Sequence, residues 1–546
     1  MKNIKQRLHL TFGILLFSAL LSLAQAKPGQ ETELTPEIAN VISDKEIAAV
    51  VKKASETFYI PGMTVGIVHK NKVVHLKGYG IKDMDTMDKV DADTYFRLAS
   101  TSKAFTAASL AILVDDGRIN WQDKVTDYLP NFKMQDHWVT GEYTIEDLLT
   151  HKSGLVSGAG DSMLWPEPSG FTRDEIIGNL RYLTPEYSFR SKYAYSNLMY
   201  ITAGEIVAKV SGMTWENFVA ERIFEPLNMT CFAGDMPKES LTNVAIPHGE
   251  RNGELFKIPR NGIKGQTLVS AAAGGVVCNA SGMTKWLQAL LVTKNGIQNN
   301  TIETKKISTV FSVEQLENMW QSHTILPLSK TEAARNNGHF KTYGLAWRKS
   351  DFLGYELISH TGTLSGMQAY VALIPELELG VVLLNNGDNS GARSSVMQTI
   401  LRGFIPDANK IDWVNDYKKE RAEKLKKYIA KNKIPKGSGN TLLSNYSYSG
   451  TYKDTWFGNI EIINTTKGLL ISSDKMITLQ GKLEPFNDHS FVVRWNNKNA
   501  ANDAFIHFKV NVNDNVTSFD LTPFQEKVSN DHEYRDMHFV KIDPVD

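Results

Sequence analysis

Residues 96–105 read Phe96-Arg97-Leu98-Ala99-Ser100-Thr101-Ser102-Lys103-Ala104-Phe105, and they begin a long helical pattern that ends at Asp116-Gly117. On a helix that starts at Ser100, Lys103 lies one turn along on the same face, with its amine beside the serine hydroxyl. A serine hydroxyl must lose its proton before it attacks a carbonyl, and an amine in a partly desolvated site can accept that proton. The free N–H groups of a helix start also favour negative charge there. This stretch therefore predicts a nucleophile with its base.

The composition is that of an ordinary globular protein. Of 546 residues, 42% are hydrophobic and 22% are charged, which is enough chain for a large catalytic domain and a smaller one. Lys and Arg together number 60, as do Asp and Glu, so a nucleic-acid partner has little support. The histidines show no His-Glu-x-x-His or comparable spacing, so neither a metal nor another cofactor is predicted.

The first 26 residues are expected to be a cleaved secretory signal peptide. Basic residues precede the apolar run Leu10 to Leu23, and Ala24-Gln25-Ala26 follows it with small residues at alternate positions. The run is short for a membrane-spanning helix, so we expect a secreted or periplasmic mature chain with no stable membrane span. Export would permit Cys231 and Cys278 to pair, but the sequence leaves that pairing open.

Strand patterns at both ends of residues 27–408, with helices between them, predict an α+β domain. A helix over residues 44–58 and a hairpin of Met63 to Val68 and Val73 to Tyr79 precede the Ser100 helix. The middle of the domain is mostly helix and loop. Later strands are predicted at Tyr343 to Trp347, Tyr355 to Ser359, Met367 to Leu373 and Val381 to Leu384. This order predicts an antiparallel sheet flanked by helices, with an all-helical insertion.

Two further segments follow the domain. Residues 409–439 carry a Lys- and Glu-rich amphipathic helical pattern that ends at Pro435-Lys436-Gly437-Ser438-Gly439, and they predict a helical linker. Residues 440–546 contain short alternating runs such as Ser490 to Trp495, which predict a small all-β, barrel-like C-terminal domain. The aromatic residues expected in its core are Tyr446, Tyr448, Tyr452, Trp456 and Phe457.

The Ser-x-x-Lys spacing is a weak signal by itself, because Ser472-Ser473-Asp474-Lys475 matches it too. That second match lies between two strand patterns, Leu469-Leu470-Ile471 and Met476-Ile477-Thr478-Leu479, where a hairpin turn explains it. Only Ser100 begins a helix with an apolar face of small residues.

Two other motifs strengthen the interpretation of Ser100. Tyr195-Ser196-Asn197 lies just before a helix, where a tyrosine can relay a proton and an asparagine amide can hold a substrate carbonyl. His360-Thr361-Gly362 follows a predicted strand, where a backbone N–H can stabilise an oxyanion and the strand edge can bind an extended substrate.

The motifs together resemble the serine β-lactamase and penicillin-binding-protein-like superfamily. The nearest branch is that of the class C β-lactamases, with its D-alanyl-D-alanine carboxypeptidase, D-aminopeptidase and esterase relatives. The resemblance covers about residues 40 to 405, and it implies a β-lactamase/transpeptidase-like fold. Its motifs, in chain order, are Ser100-Thr101-Ser102-Lys103, His151-Lys152-Ser153-Gly154-Leu155, Tyr195-Ser196-Asn197, Gly274-Gly275 and His360-Thr361-Gly362.

The resemblance implies a role for each polar residue of the Ser-x-x-Lys and Tyr-x-Asn motifs. It implies Ser100 as the acylated nucleophile, Lys103 as its proton partner, and Tyr195 as the group that shuttles protons to the leaving group. Asn197 would hold the substrate amide. Whether Lys103 or Tyr195 is the base in acylation stays open.

The same resemblance places His360 among the catalytic residues and Thr361 and Gly362 in the substrate-binding edge. The oxyanion hole would be formed by the backbone N–H groups of Ser100 and Thr363. Most β-lactamases of this kind have a lysine where His360 stands, whereas histidine is only partly charged near neutral pH. The His-Thr-Gly variant is found in peptidase-like relatives, so efficient β-lactam hydrolysis is not expected.

The predicted function is therefore an exported serine hydrolase that forms an acyl-enzyme on Ser100. A peptidase, amidase or esterase of the D-alanyl-D-alanine carboxypeptidase or D-aminopeptidase type is expected, acting on a small molecule, a D-amino-acid peptide, an ester or a β-lactam. A class C-like β-lactamase and a non-catalytic binding protein with a vestigial site are the alternatives. Taken singly, Tyr195 can be a core tyrosine, Asn197 a helix cap and His360 a packed histidine.

Overall fold

The structure is a computed structural model, and it describes residues 41–234, 242–259, 268–295, 310–431, 436–497, 503–524 and 534–542. The predicted signal peptide, residues 1–26, lies outside the described residues.

Local sequence sets the first helix, α1 (Asp44–Phe58). The Ser43 side chain accepts a hydrogen bond from Glu46 N, and the Glu46 carboxylate accepts one from Ser43 N, so both ends of a capping box are present. The other helices are α2 (Lys103–Asp115), α3 (Val125–Tyr128), α4 (His137–Glu142), α5 (Ile145–Leu149), α6 (Arg173–Asn179), α7 (Asn197–Ser211), α8 (Trp215–Val219), α9 (Ala271–Gly274), α10 (Ala280–Asn295), α11 (Val313–Trp320), α12 (Lys330–Asn336), α13 (Ser390–Arg402), α14 (Trp413–Lys431) and α15 (Asn445–Tyr448).

An antiparallel sheet forms the centre of the hydrolase domain. The strands of this domain are β1 (Gly62–His69), β2 (Lys72–Gly80), β3 (Phe96–Arg97), β4 (Phe232–Ala233), β5 (His248–Arg251), β6 (Glu254–Lys257), β7 (Val276–Cys278), β8 (Thr324–Ile325), β9 (Lys341–Tyr343), β10 (Arg348–Phe352), β11 (Tyr355–Leu364), β12 (Met367–Ile374) and β13 (Leu379–Asn385). The main sheet has the order β2-β1-β13-β12-β11-β10-β9-β8, and smaller sheets are formed by β3-β7-β4 and by β5-β6. The N-terminal hairpin thus joins late strands, as predicted.

Both faces of the main sheet are covered by helices. Along β13, Val381 and Leu383 pack with residues of α1 and α13, whereas Val382 and Leu384 belong to the core on the opposite side, with Leu287 of α10. This alternation follows from the two-residue period of a strand. Helices α3 to α8 come from the predicted helical insertion, so the α+β fold class is confirmed.

The C-terminal domain is a closed β-barrel, as the predicted barrel-like fold requires. Its strands are β14 (Gly450–Asp454), β15 (Gly458–Thr465), β16 (Gly468–Ser473), β17 (Gln480–Asn487), β18 (Ser490–Trp495), β19 (Ala504–Val510), β20 (Val516–Pro523) and β21 (Phe539–Ile542). Four of the five aromatic residues predicted for its core are buried, whereas Tyr446 is 79% exposed on the short helix α15. The core prediction is therefore wrong for Tyr446.

Three strand predictions need correction. Of the predicted strand Tyr343 to Trp347, only Tyr343 lies in a strand, at the end of β9; residues 344–347 form the turn to β10, where the chain reverses at Ala346, whose φ is 70°. Strand β11 continues to Leu364, so His360-Thr361-Gly362 lies within a strand rather than after one. The predicted strand Met476 to Leu479 instead lies in the turn between β16 and β17, where the Met476 side chain is buried.

The predicted linker is anchored to the hydrolase domain at its start. Trp413 and Val414 at the beginning of α14 are buried, and Lys53 Nζ of α1 lies 2.6 Å from the Asp412 carboxylate. In the described ranges, no helix combines the length and apolarity needed to cross a membrane.

A disulfide joins Cys231 to Cys278. Cys278 ends β7, and Cys231 directly precedes β4, which pairs with β7. The small sheet therefore brings together two cysteines that are 47 positions apart in sequence.

Candidate active site

Ser100 lies in a tight turn at the start of α2. A 3₁₀ helix spans Ala99–Ser102, and Ala99 before the serine has a φ of 49°, in the left-handed region that side chains disfavour. The turn is held by Ser102 Oγ, which accepts a hydrogen bond from Val276 N at 3.0 Å. Ser100 is only half-buried, so a substrate can reach it from solvent.

Lys103 is fully buried one turn beyond Ser100. Its Nζ donates to Asn197 Oδ1 at 2.7 Å and to the Ala273 carbonyl at 2.8 Å, and it lies 4.7 Å from the Tyr195 ring centroid. Burial holds the pKa of Lys103 well below its ordinary value; the charge of Asp161 opposes this shift and that of Arg348 adds to it. A lowered pKa favours the neutral amine that a proton acceptor requires.

The Tyr195 ring packs on His151, with ring centroids 4.3 Å apart. Its hydroxyl oxygen is buried, and among the described residues it has no hydrogen-bond partner of good geometry. Burial raises the pKa of Tyr195, while interaction with the Ser100 side chain partly lowers it. The phenol therefore faces the serine hydroxyl as a protonated group, which can give its proton to a substrate bound between them.

Asn197 is the first residue of α7, and both ends of its amide are held. Its Oδ1 accepts from Lys103, and its Nδ2 donates to Asp161 Oδ2 at 3.0 Å. This arrangement fixes the amide beside the lysine amine.

A chain of hydrogen bonds determines which ring nitrogen of His360 carries a proton. His151 Nδ1 accepts from Ser196 N, so its Nε2 carries the proton and donates to Tyr343 Oη at 3.2 Å. Tyr343 then donates to His360 Nε2 at 3.1 Å, and His360 Nδ1 donates to the Thr361 carbonyl at 2.8 Å. Each ring nitrogen in the chain thus has a defined role.

His360 is therefore a buried, neutral histidine rather than a partly charged group that faces the substrate. It is 1% exposed, and burial, followed by the charges of Arg348 and Lys103, holds its pKa well below the ordinary value. This corrects the expected partial charge, because the isolated motif does not reveal how completely the side chain is enclosed.

The β11 segment that carries Gly362 and Thr363 lies against the serine turn. A Cβ on Gly362 would lie 2.1 Å from the Leu98 carbonyl oxygen, so only glycine allows this approach. The ladder between β10 and β11 ends at the pair of Arg348 and Ser359, so within the described ladder the β10 side of β11 is open beyond residue 359. This open edge suits an extended substrate.

Two arginines near this edge were not predicted. Arg393 of α13 is buried behind β11; it donates to the Gly362 carbonyl, and its Nη2 donates to Thr363 Oγ1 at 2.9 Å. Arg348 of β10 lies on the open side, where its Nη1 is 3.5 Å from Thr361 Oγ1 and its charge acts on Tyr193 and Tyr195. Burial lowers the pKa of Arg348, but interaction with Tyr193, Tyr343 and Tyr195 raises it more, so the guanidinium stays cationic.

The structure thus brings Ser100, Lys103, Tyr195 and Asn197 together at one end of β11, and it places Gly362 against the turn that carries the serine. His360 lies behind this cluster in the hydrogen-bond chain. Arg348, Arg393 and Asp161 have no local motif. The sequence signal for Arg348 is its position at the start of a strand paired with the one that carries His360.

A half-buried serine and a fully buried lysine three positions later thus lie in one site. Comparison with known proteins identifies the family. The model of the family described as Beta-lactamase matches residues 47–401, and the chain therefore belongs to the β-lactamase family. A second model, described as a domain of unknown function (DUF3471), matches residues 440–541, which contain the barrel.

Similar proteins include hydrolases and penicillin-binding-protein homologues. The unguisins hydrolase of Aspergillus campestris is 28% identical over 83% of this chain and 84% of its own length. Protein flp of Staphylococcus aureus is 25% identical over 63% of each chain. The octameric penicillin-binding protein homologue from Pyrococcus abyssi has a TM-score of 0.57 at 20% identity, covering 92% of this chain and 100% of its own. SurE has a TM-score of 0.52 at 17% identity, covering 91% of this chain and 98% of its own.

Proposed function

We propose that this protein is an exported serine hydrolase that forms an acyl-enzyme on Ser100 and cleaves an amide or ester, with a D-residue peptide that ends in a free carboxylate as the substrate class. The observation that carries the proposal is the buried cluster of Lys103, Asn197 and Tyr195 around a reachable Ser100. The hydrolase among its relatives supports the reaction class.

The chemistry follows from the protonation states of the cluster. In its neutral form, which the lowered pKa favours, the Lys103 amine takes the Ser100 proton directly, or takes the phenolic proton of Tyr195 while Tyr195 takes that of Ser100; Oγ bonds to the substrate carbonyl carbon in the same step. The carbonyl oxygen becomes an oxyanion, for which the N–H groups of Ser100 and Thr363 are the proposed donors. When the C–N or C–O bond breaks, Tyr195 returns a proton to the leaving group. Water then hydrolyses the ester on Ser100 by the reverse transfers.

Arg348 supports the choice of an anionic substrate. A guanidinium keeps its charge at every physiological pH and offers a planar fork that matches a carboxylate. The buried, neutral His360 cannot supply that charge. Arg348 lies at the open edge of β11, near Thr361, so a peptide bound along this edge can place its terminal carboxylate against it.

A substrate panel with the purified protein tests the proposal. We expect hydrolysis of a peptide with a C-terminal D-residue as the free acid, slower hydrolysis of its C-terminal amide, and no turnover of either by Ser100→Ala. Equal rates for the acid and the amide would contradict carboxylate recognition. Undiminished turnover by Ser100→Ala would contradict the nucleophile.

A β-lactamase is the second candidate, because the same Arg348 guanidinium can bind the carboxylate of a β-lactam. The two functions differ in the rate of deacylation. A stoichiometric burst with nitrocefin followed by very slow turnover favours the peptidase, whereas sustained rapid turnover favours the β-lactamase.

The disulfide between Cys231 and Cys278 supports export, since such bonds persist in oxidising compartments.

A further inference from the structure

One loop connects three parts of the candidate site. We define the site loop as residues 157–171. Ser157 Oγ accepts from Tyr195 N at 3.0 Å, and Gly158 N donates to the Tyr195 carbonyl at 2.8 Å, so the loop holds the backbone of the proton-relay tyrosine. Further along, Asp161 holds the Asn197 amide.

The same loop also holds the strand that leads into the serine turn. Both terminal nitrogens of the Arg97 guanidinium donate to the Glu167 carboxylate, at 2.7 and 2.8 Å. The pair is shielded from solvent, since the two side chains are 8% and 20% exposed. Arg97 is three residues before Ser100, so a displacement of the loop acts on the nucleophile as well as on Tyr195 and Asn197.

One turn of the C-terminal barrel, residues 474–479, contacts this loop, and we call it the barrel turn; Phe457 of the barrel also packs against Phe171 of the loop, with ring centroids 6.1 Å apart. Gly170 N donates to the Lys475 carbonyl at 2.7 Å, and Lys475 Nζ lies 2.7 Å from Glu175 Oε1 just after the loop. Thr478 Oγ1 donates to the Pro166 carbonyl at 3.4 Å. The contact is closest at Gly170, where a Cβ would be 2.5 Å from the Lys475 carbonyl oxygen.

These contacts suggest a structural role for the second Ser-x-x-Lys match, Ser472-Ser473-Asp474-Lys475. Lys475 ends that motif, and it contacts the hydrolase domain through its backbone, its ammonium group and the ring of Phe171, whose centroid is 5.4 Å from Nζ. A turn that served only to join β16 and β17 would need none of these contacts. The backbone and side-chain contacts instead fix the position of one wall of the site.

We propose that the barrel turn is a positioning element of the active site. By holding the site loop, it fixes the positions of Asp161 and Glu167 and of the loop residues that bind the Tyr195 backbone. It thereby sets the geometry of Ser100, Tyr195 and Asn197. Lys475 and Gly170 are positioning residues, since neither contacts the reacting groups. The inference rests on the proposed function only for its activity readout, because the loop's order can be measured independently.

The test uses four full-length variants. Gly170→Ala forces the two backbones apart, and Lys475→Met removes the charge but keeps the stem. Lys475→Arg retains the ion pair with Glu175. Gly141→Ala is the matched control, because apart from the neighbouring backbone of its own helix no described atom lies within 4 Å of a Cβ at that position. Hydrogen exchange of peptides covering residues 157–171 and 193–199 reports loop order, and the second-order rate of labelling by a fluorophosphonate reports the site.

We expect Gly170→Ala to exchange faster in both peptides and to be labelled about ten-fold more slowly, because small displacements of reacting groups cost one to two powers of ten. Lys475→Met should show the same changes, but smaller, at an unchanged melting temperature, since exposed ion pairs add little stability. Lys475→Arg and Gly141→Ala should match the wild type.

Wild-type exchange or wild-type labelling in both Gly170→Ala and Lys475→Met would overturn the inference. If Gly170→Ala does not fold, Lys475→Met and its rescue by Lys475→Arg decide it. If the wild-type protein is not labelled at all, the proposed function fails, and wild-type exchange in Lys475→Met then overturns the positioning role as well.

Discussion

Replacement of Arg348 by Met removes the permanent cation at the open edge of β11 while keeping most of the aliphatic stem. The guanidinium lies near Thr361, and no charge of the same kind is available from the neutral His360. A hydrogen bond to a charged group contributes about 1.5–3 kcal/mol, so loss of the carboxylate contact should lower kcat/KM by about 10- to 150-fold. On the plateau of the pH profile, where Lys103 is deprotonated in both proteins, the C-terminal amide of the same peptide should lose little.

The assay is hydrolysis of a matched pair of peptides, free acid and amide, by wild type, Arg348→Met and Arg348→Lys. Arg348→Lys should fall between the other two on the acid, because it keeps the charge but not the planar fork. A second readout is the pH profile. Arg348 adds to the burial that lowers the pKa of Lys103, so its removal raises that pKa and moves the rise of kcat/KM with pH to higher pH. A uniform loss on both peptides with an unmoved profile would refute the role of Arg348.

Three further results are expected. In the folded protein His151 and His360 have pKa values well below 6.5, so below that pH the unfolded state binds more protons than the folded state. Urea denaturation should therefore show the free energy of unfolding falling, as the pH is lowered, by about 1.4 kcal/mol per pH unit for each histidine. A flat profile from pH 7 to 5.5 would count against neutral, buried rings. Gly362→Ala should abolish fluorophosphonate labelling, because its Cβ would collide with the backbone of the serine turn. The control Gly141→Ala should be labelled normally and melt at the same or a higher temperature. Normal labelling of Gly362→Ala would mean that β11 can move away from the serine turn. Serine at both Cys231 and Cys278 should lower the free energy of unfolding by about 4 kcal/mol, as expected for a closed loop of this length, and an unchanged urea midpoint would contradict a structural disulfide.

Much of the fold could be predicted because local patterns determine it. The helix after Ser43 has its capping box in sequence, and the two strand-like runs on either side of Lys70-Asn71-Lys72 place β1 and β2 to within one residue at each end. The turn at Ala346 was missed because Leu345, Ala346 and Trp347 are all buried, and a buried turn has the same apolar composition as a strand.

The site residues likewise divide into those that local sequence patterns predict and those that only the tertiary structure brings to the site. Ser100 and Lys103, and Tyr195 and Asn197, lie close in sequence because one helix start supplies each pair, so spacing predicts their proximity. Arg348 reaches the site only through the pairing of β10 with β11, and Asp161 only through the path of a long loop. The protonation of His360 depends on its enclosure by Tyr343 and Arg348, and no local pattern records that enclosure.

We propose Ser100 as the acylated nucleophile. Intact-mass measurement after treatment with a fluorophosphonate tests it most directly, followed by peptide mapping of the adduct and the same treatment of Ser100→Ala. We expect one adduct per chain in the wild type, located on the peptide that contains Ser100, and none in the variant. An adduct of equal yield in Ser100→Ala, or one mapped to another residue of the wild type, would contradict the role of Ser100.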